Sequence, residues 1–113
     1  MKSIRVLLCT AALALVSGAA IAQSDFSKSI SQLGVQVQPA NAPSLAYFSV
    51  NGGFTLSCAY GLVYLDITTD FGRAAYAELL AAKNAGQQLS RIDYTQSGGA
   101  NSMCTLQLVE VEN

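Results

Sequence analysis

Three kinds of side chain in this sequence could do chemistry: a pair of cysteines, a set of tyrosines and a scatter of carboxylates. Histidine is absent, which removes the commonest general base and the commonest metal ligand together. Cys58 and Cys104 could serve as nucleophile or zinc ligands only as free thiols. Any two of the seven carboxylates could be argued into a glycosidase pair. Asp66, Asp70 and Asp93 have simpler roles as a strand end, a helix cap and a solvent-facing position. Gly52-Gly53 and Gly98-Gly99 lack the Lys-Ser/Thr, or the following helix, that a phosphate cradle needs, and they read as turns. No residue is assigned to catalysis, to a cofactor or to a metal, and the chain is expected not to be an enzyme.

The tyrosines suit recognition better than turnover. Tyr47, Phe48, Tyr60, Tyr64 and Tyr94 are many aromatics for so short a chain. A tyrosine offers a flat apolar face and a hydroxyl, which fits carbohydrate and protein contacts. Packing in the core with the hydroxyl at its rim is the competing role. The polar strand faces carrying Gln36, Gln38, Arg91 and Asp93 could add hydrogen bonds, or could be solvated. The ligand-binding residues are left unknown at this level.

The cysteines are interpreted through the N-terminus. Lys2 and Arg5 precede an apolar run from Val6 to Val16, which closes on Ala20-Ile21-Ala22. That is the build of a secretory signal peptide, residues 1–22, with an apolar core too short to span a bilayer. Cys9 leaves with it and lies too far upstream to be a lipidated cysteine. The remaining 23–113 form a single small domain exported to the periplasm or beyond. Two cysteines in an oxidising compartment read as the disulfide Cys58–Cys104; the alternative is two separate buried thiols. From Gln23 onward four bases face seven acids, a net charge of −3. Four scattered cations make no stripe for nucleic acid or anionic lipid, and no later apolar run is long enough to cross a membrane.

The elements that would position these residues follow from periodicity. Gln23 to Ser31 is expected to be a polar, Ser-rich entry, mobile at its start. Leu33 to Gln38 alternates as a half-buried strand, ending at the loop Pro39-Ala40-Asn41-Ala42-Pro43. Ser44 to Val50 is a second strand, turned at Asn51-Gly52-Gly53 into a third over Phe54 to Cys58. Leu62 to Ile67 is apolar on both faces and reads as a central strand. Thr68, Thr69 and Asp70 offer a helix cap, and the helix runs from Phe71 to Ala85. Its face of Phe71, Ala75, Tyr76, Leu79, Leu80 and Ala82 is expected to bury, with Arg73, Glu78 and Asn84 opposite and Gly86 as the left-handed end. Leu89 to Tyr94 alternates with Ser90, Ile92 and Tyr94 on one side. Thr95 to Ser102 is a loop, and Cys104 to Glu112 a last strand whose change of apolar register implies a bulge or a segment covered on both faces. The fold class is α+β: a small antiparallel sheet, or partly closed barrel, with one helix packed on it and one disulfide.

The run Cys58-Ala59-Tyr60-Gly61-Leu62-Val63-Tyr64, the stretch from Phe71 to Lys83 with Gly86, Leu89 to Tyr94 and the late Cys104 together resemble small secreted bacterial proteins related to the subtilase-cytotoxin B subunits. The resemblance covers about Phe48 to Val111 and lies in the order and spacing of elements. It implies an oligonucleotide/oligosaccharide-binding (OB) type of barrel, assembling as a homo-oligomeric ring that binds glycans. Glycan contacts in that family lie near the mature N-terminus, around a serine that follows an aromatic residue. Phe26-Ser27 is the local match, and no site is carried over on two residues. The expected function is a non-enzymatic recognition module for a glycan or protein surface. The alternative is an inhibitor-like or envelope-structural protein acting through the Thr95 to Ser102 loop.

Overall fold

The computed structural model describes residues 20–37 and 42–113. Most of the expected leader, Gln38 at the end of the first expected strand, and Pro39 to Asn41 of the expected loop lie outside these. Among the described residues, six strands and one α-helix follow in the order β1 (Ile21–Lys28), β2 (Ile30–Gln36), β3 (Leu45–Val50), β4 (Val63–Asp66), α1 (Asp70–Ala85), β5 (Leu89–Gln96) and β6 (Cys104–Val111). The class is α+β. The strands form one sheet in the order β1-β5-β6-β4-β3-β2.

This sheet is mixed and unclosed, not the purely antiparallel one that the sequence suggested. β4 and β6 run parallel through the rungs Val63–Cys104 and Tyr64–Thr105, because α1 and β5 intervene and return the chain in the same direction. The two outermost strands, β1 and β2, do not pair with each other. They are consecutive in the chain, separated by Ser29 alone, with Ser27, two residues earlier, in a left-handed conformation at φ 55°. One bent stretch therefore supplies both edges of the sheet, pairing with β5 through its first half and with β3 through its second.

The expectation of a polar entry over Gln23 to Ser31, mobile at its start, is overturned, since this segment is β1 and the start of β2. The inward position that would have announced a strand is Asp25, a carboxylate only 3% exposed. A cut after Ala22 would leave the β1 rungs from Gln23 to Lys28 in place. Phe54 to Cys58 is likewise no strand. Gly52 and Gly53 both take positive φ, 85° and 78°, and lead the chain out of the ladder. Phe54 instead meets Phe48 and Tyr94 edge-on, with ring centroids at 5.5 and 5.3 Å.

The helix begins and ends where local chemistry places it. Thr69 is the N-cap, its hydroxyl accepting from the Gly72 amide at 2.9 Å, and Gly86 closes the helix at φ 67°, as such ends usually do. The buried face is narrower than the projection implied: Gly72, Ala75, Leu79 and Ala82. Phe71 and Leu80 are 45% and 41% exposed. Small residues at three- and four-residue spacing let the backbone lie close to the sheet, so a residue about 100° away on either flank misses it.

Two register shifts complete the core. One between Leu89 and Arg91 puts Leu89 on the same inner side as Ile92 and Tyr94, all fully buried, and so corrects its expected outward placement. The other sets Asp93 opposite Leu108 but Tyr94 opposite Leu106. Gln107 is thus the extra residue of a bulge in β6, and the apolar face passes from Leu106 to Val109 and Val111. Cys58 and Cys104 are joined, with Cα atoms 5.5 Å apart.

Candidate binding groove

The alternation of β3 and β4 sends Phe48, Val63 and Leu65 into the core and leaves Tyr47 and Tyr64 on the other side of the sheet. These two are direct cross-strand partners, with ring centroids 6.1 Å apart and planes tilted by 54°. Tyr60 joins them from the short 3-10 turn Ala59–Gly61, which enters β4. All three line a groove of about 850 Å³, together with Leu33, Val35 and Leu62. Gln32 and Gln36 of β2 and Lys83 from the last turn of α1 supply its polar atoms.

Each tyrosine is held differently. Tyr64 is only 7% exposed; burial, and then the nearby Tyr60 and Tyr47 hydroxyls, push its pKa up, so it stays a neutral donor and acceptor. Tyr47 lies across β2 at Gly34, its partner in the β2–β3 ladder. Tyr60 is 90% exposed and has a left-handed backbone at φ 57°, ψ 15°, a conformation unfavourable for a bulky residue and found where surroundings enforce it. The surroundings are explicit. Gly61 N–H donates to the Cys58 carbonyl at 2.9 Å, Ala59 N–H to Ser102 and Asn101 N–H to Ser57. The Gln96 amide, itself 3% exposed, donates to the carbonyls of Ser57 and Ser102. The disulfide fastens the same place.

A second polar cluster lies inside the fold. Asp25 accepts from Thr55 N–H and from the Tyr94 hydroxyl, both at 2.9 Å, and Tyr94 accepts in turn from Leu56 N–H. Burial works to raise the Asp25 pKa, but hydrogen bonds from Thr55, Tyr94 and Gln23 together outweigh it and hold it below the usual carboxylate range. Burial, helped by Asp25, pushes Tyr94 up to about 12. Neither group is poised to exchange a proton near neutrality. The cluster is a clasp that fixes the non-strand segment Phe54 to Ser57 onto β1 and β5, and it substitutes for the ladder which that segment lacks.

Of the residues singled out in the sequence, the fold brings Tyr47, Tyr60, Tyr64 and Gln36 together. Phe48 and Tyr94 are core. Arg91 and Asp93 pair with each other at 2.8 Å and do not line the groove; Arg91 and then Ser24 hold the Asp93 pKa down. Gln38 lies outside the described residues. The groove residues that sequence reasoning passed over are Gln32, Leu33, Val35, Leu62 and Lys83. The one signal for them was Gly34, a glycine inside a strand pattern, which often marks a close approach. Among the described residues there is no group of three or more metal-binding side chains and no helix long and apolar enough to cross a membrane. Compared with known proteins, the chain matches no family model, no curated protein and no solved structure.

Proposed function

We propose that this protein is a non-enzymatic, exported recognition module that binds a glycan in the tyrosine groove. The observation that carries the reading is the convergence of Tyr47, Tyr60 and Tyr64 with two glutamine amides, one of the rings being held in solvent by an enforced backbone conformation. A pyranose has an apolar face for a ring and hydroxyls for amides and phenols, so its chemistry matches this lining. The groove is shallow, which suits a surface sugar better than an enclosed substrate.

Two further considerations support the reading. If the bent β1–β2 stretch is counted as one strand, the sheet begins and ends on that same strand and the helix falls between the third and fourth strands. This is the connectivity of an OB-type barrel, whose strand faces and loops bind oligosaccharides and oligonucleotides. The second is the resemblance of Phe48 to Val111 to the subtilase-cytotoxin B subunits. A single shallow site gives weak affinity, so useful binding would come from a homo-oligomer whose linked sites raise avidity by roughly 10²–10⁴. The inhibitor-like alternative has less to act with: Gly98, Gly99 and Ala100 at the tip of that loop offer little beyond backbone.

A glycan array read with the purified protein tests the proposal, alongside light scattering for its oligomeric state. Wild-type signal that Tyr60→Ala abolishes is the expected result. A monomer that binds nothing on a broad array would overturn it.

A further inference from the structure

Gly34 sits in the middle of β2, where its backbone is not left-handed and its ladder with β3 is regular from Gln32 to Gln36. Nothing in the main chain requires glycine there, and glycine weakens a strand by its freedom in the unfolded chain and its lack of packing surface. The reason for it lies across the ladder. A Cβ at position 34 would stand 2.5 Å from both Cζ and Oη of Tyr47 and 3.0 Å from its Cε1. The tip of the Tyr47 ring thus occupies the space a side chain at 34 would take. On the same face stands Tyr64, 6.1 Å from Tyr47 between ring centroids.

We propose that Gly34 is the positioning residue of the groove: it seats the Tyr47 ring across β2 and so keeps open the space in which a sugar would stack. This rests on the glycan reading above and adds to it which residue sets the shape of the site. Any side chain at 34 lifts the phenol off the strand. Because the atoms that clash are the far end of a flexible side chain, the ring turns away and the backbone stays put. The fold then keeps its stability, with alanine even favoured over glycine in a strand, while the groove changes shape.

The experiment uses Gly34→Ala in the purified protein, read in three ways. Urea melts report stability. Near-ultraviolet circular dichroism reports the coupling of the tyrosine rings, and in the wild type the ring current of Tyr47 should move the Gly34 Hα resonances upfield. A mono- and oligosaccharide array reports binding. The expected result is an unchanged or higher urea midpoint, an altered tyrosine signal and array binding weaker by about tenfold, the worth of one lost aromatic contact. Gly34 Hα resonances at ordinary positions, or a variant with wild-type dichroism and wild-type array profile, would overturn the seat. A wild-type protein that shows the upfield shift but binds nothing on the array would overturn the glycan reading, and with it the positioning role, while the ring geometry stands. A variant that loses binding because it unfolds would be exposed by the melt, and would overturn the claim that the backbone at 34 tolerates a side chain.

Discussion

Replacing Gly72 by alanine sets two effects of opposite sign against each other. In a helix, alanine is favoured over glycine by about 1 kcal/mol, so propensity alone calls for a more stable protein. The packing says otherwise. Gly72 is in the first turn of α1, its N–H bound to the Thr69 hydroxyl at 2.9 Å. A Cβ there would lie 2.6 Å from the Asp66 carbonyl carbon, closer still to its oxygen, and 3.0 Å from Thr69 Oγ1. That carbonyl already accepts from the Thr69 hydroxyl at 2.9 Å, and Asp66 is paired with Leu45 in the β3–β4 ladder. Neither side can yield as a side chain would. The start of the helix must lift by roughly 1.5 Å to regain ordinary contact distance, losing the cap, about 1 kcal/mol, and part of the packing behind it, about 1–3 kcal/mol. Set against the propensity gain, the net loss is about 1–3 kcal/mol, or a fall in Tm of roughly 5–20 °C for a domain of this size. Urea and thermal melts at neutral pH measure it. Gly86→Ala is the comparison, because nothing lies within 4 Å of its Cβ position and its loss of about 1–2 kcal/mol comes from the left-handed backbone alone. A Gly72→Ala protein as stable as wild type, or more so, would refute the inference that α1 is pressed against the end of β4.

Cys58→Ala with Cys104→Ala should lower stability by about 4 kcal/mol on the chain-entropy model, given the 46-residue separation, and a shift in the urea midpoint checks this. Leu79→Ala should lose about 2–5 kcal/mol, because Leu79 is fully buried; Leu80→Ala, at a position 41% exposed, should change the same melt by about 0.5 kcal/mol or less. Asp25 has a folded pKa depressed below its ordinary value, so its contribution is complete above the unfolded pKa of about 3.9 and lost as pH falls through the folded one. Stability should therefore decline from about pH 5 downward, and Asp25→Asn should flatten that decline; equal acid profiles for the two proteins would count against the clasp.

The sequence by itself determined what depends on neighbours along the chain. The cap within Thr68-Thr69-Asp70, the left-handed stop at Gly86 and the helix between them are local hydrogen-bond and propensity effects; the structure selects Thr69 as the cap and starts the helix one residue earlier than expected, at Asp70. The pairing of Cys58 with Cys104 was legible because they are the two cysteines that follow the expected leader. Only the tertiary structure decided matters that depend on register. Asp25 sits in a polar stretch with no apolar alternation, and only Tyr94 and Thr55, arriving from other segments, satisfy it inside the fold, which is why β1 was invisible. The parallel rungs between β4 and β6 exist because distant strands meet. Phe71 and Leu80 have the hydrophobicity of core residues, yet the face that buries is the seam of Gly72, Ala75, Leu79 and Ala82. The groove is the clearest case. Its residues come from β2, β3, a one-turn 3-10 segment, β4 and the end of α1, and no periodicity within any one of these points at the others. They share a site because the β2–β3 register sets Gly34 opposite Tyr47 and the β3–β4 register sets Tyr47 opposite Tyr64. A slip of one residue in either ladder would turn those side chains to the other face of the sheet.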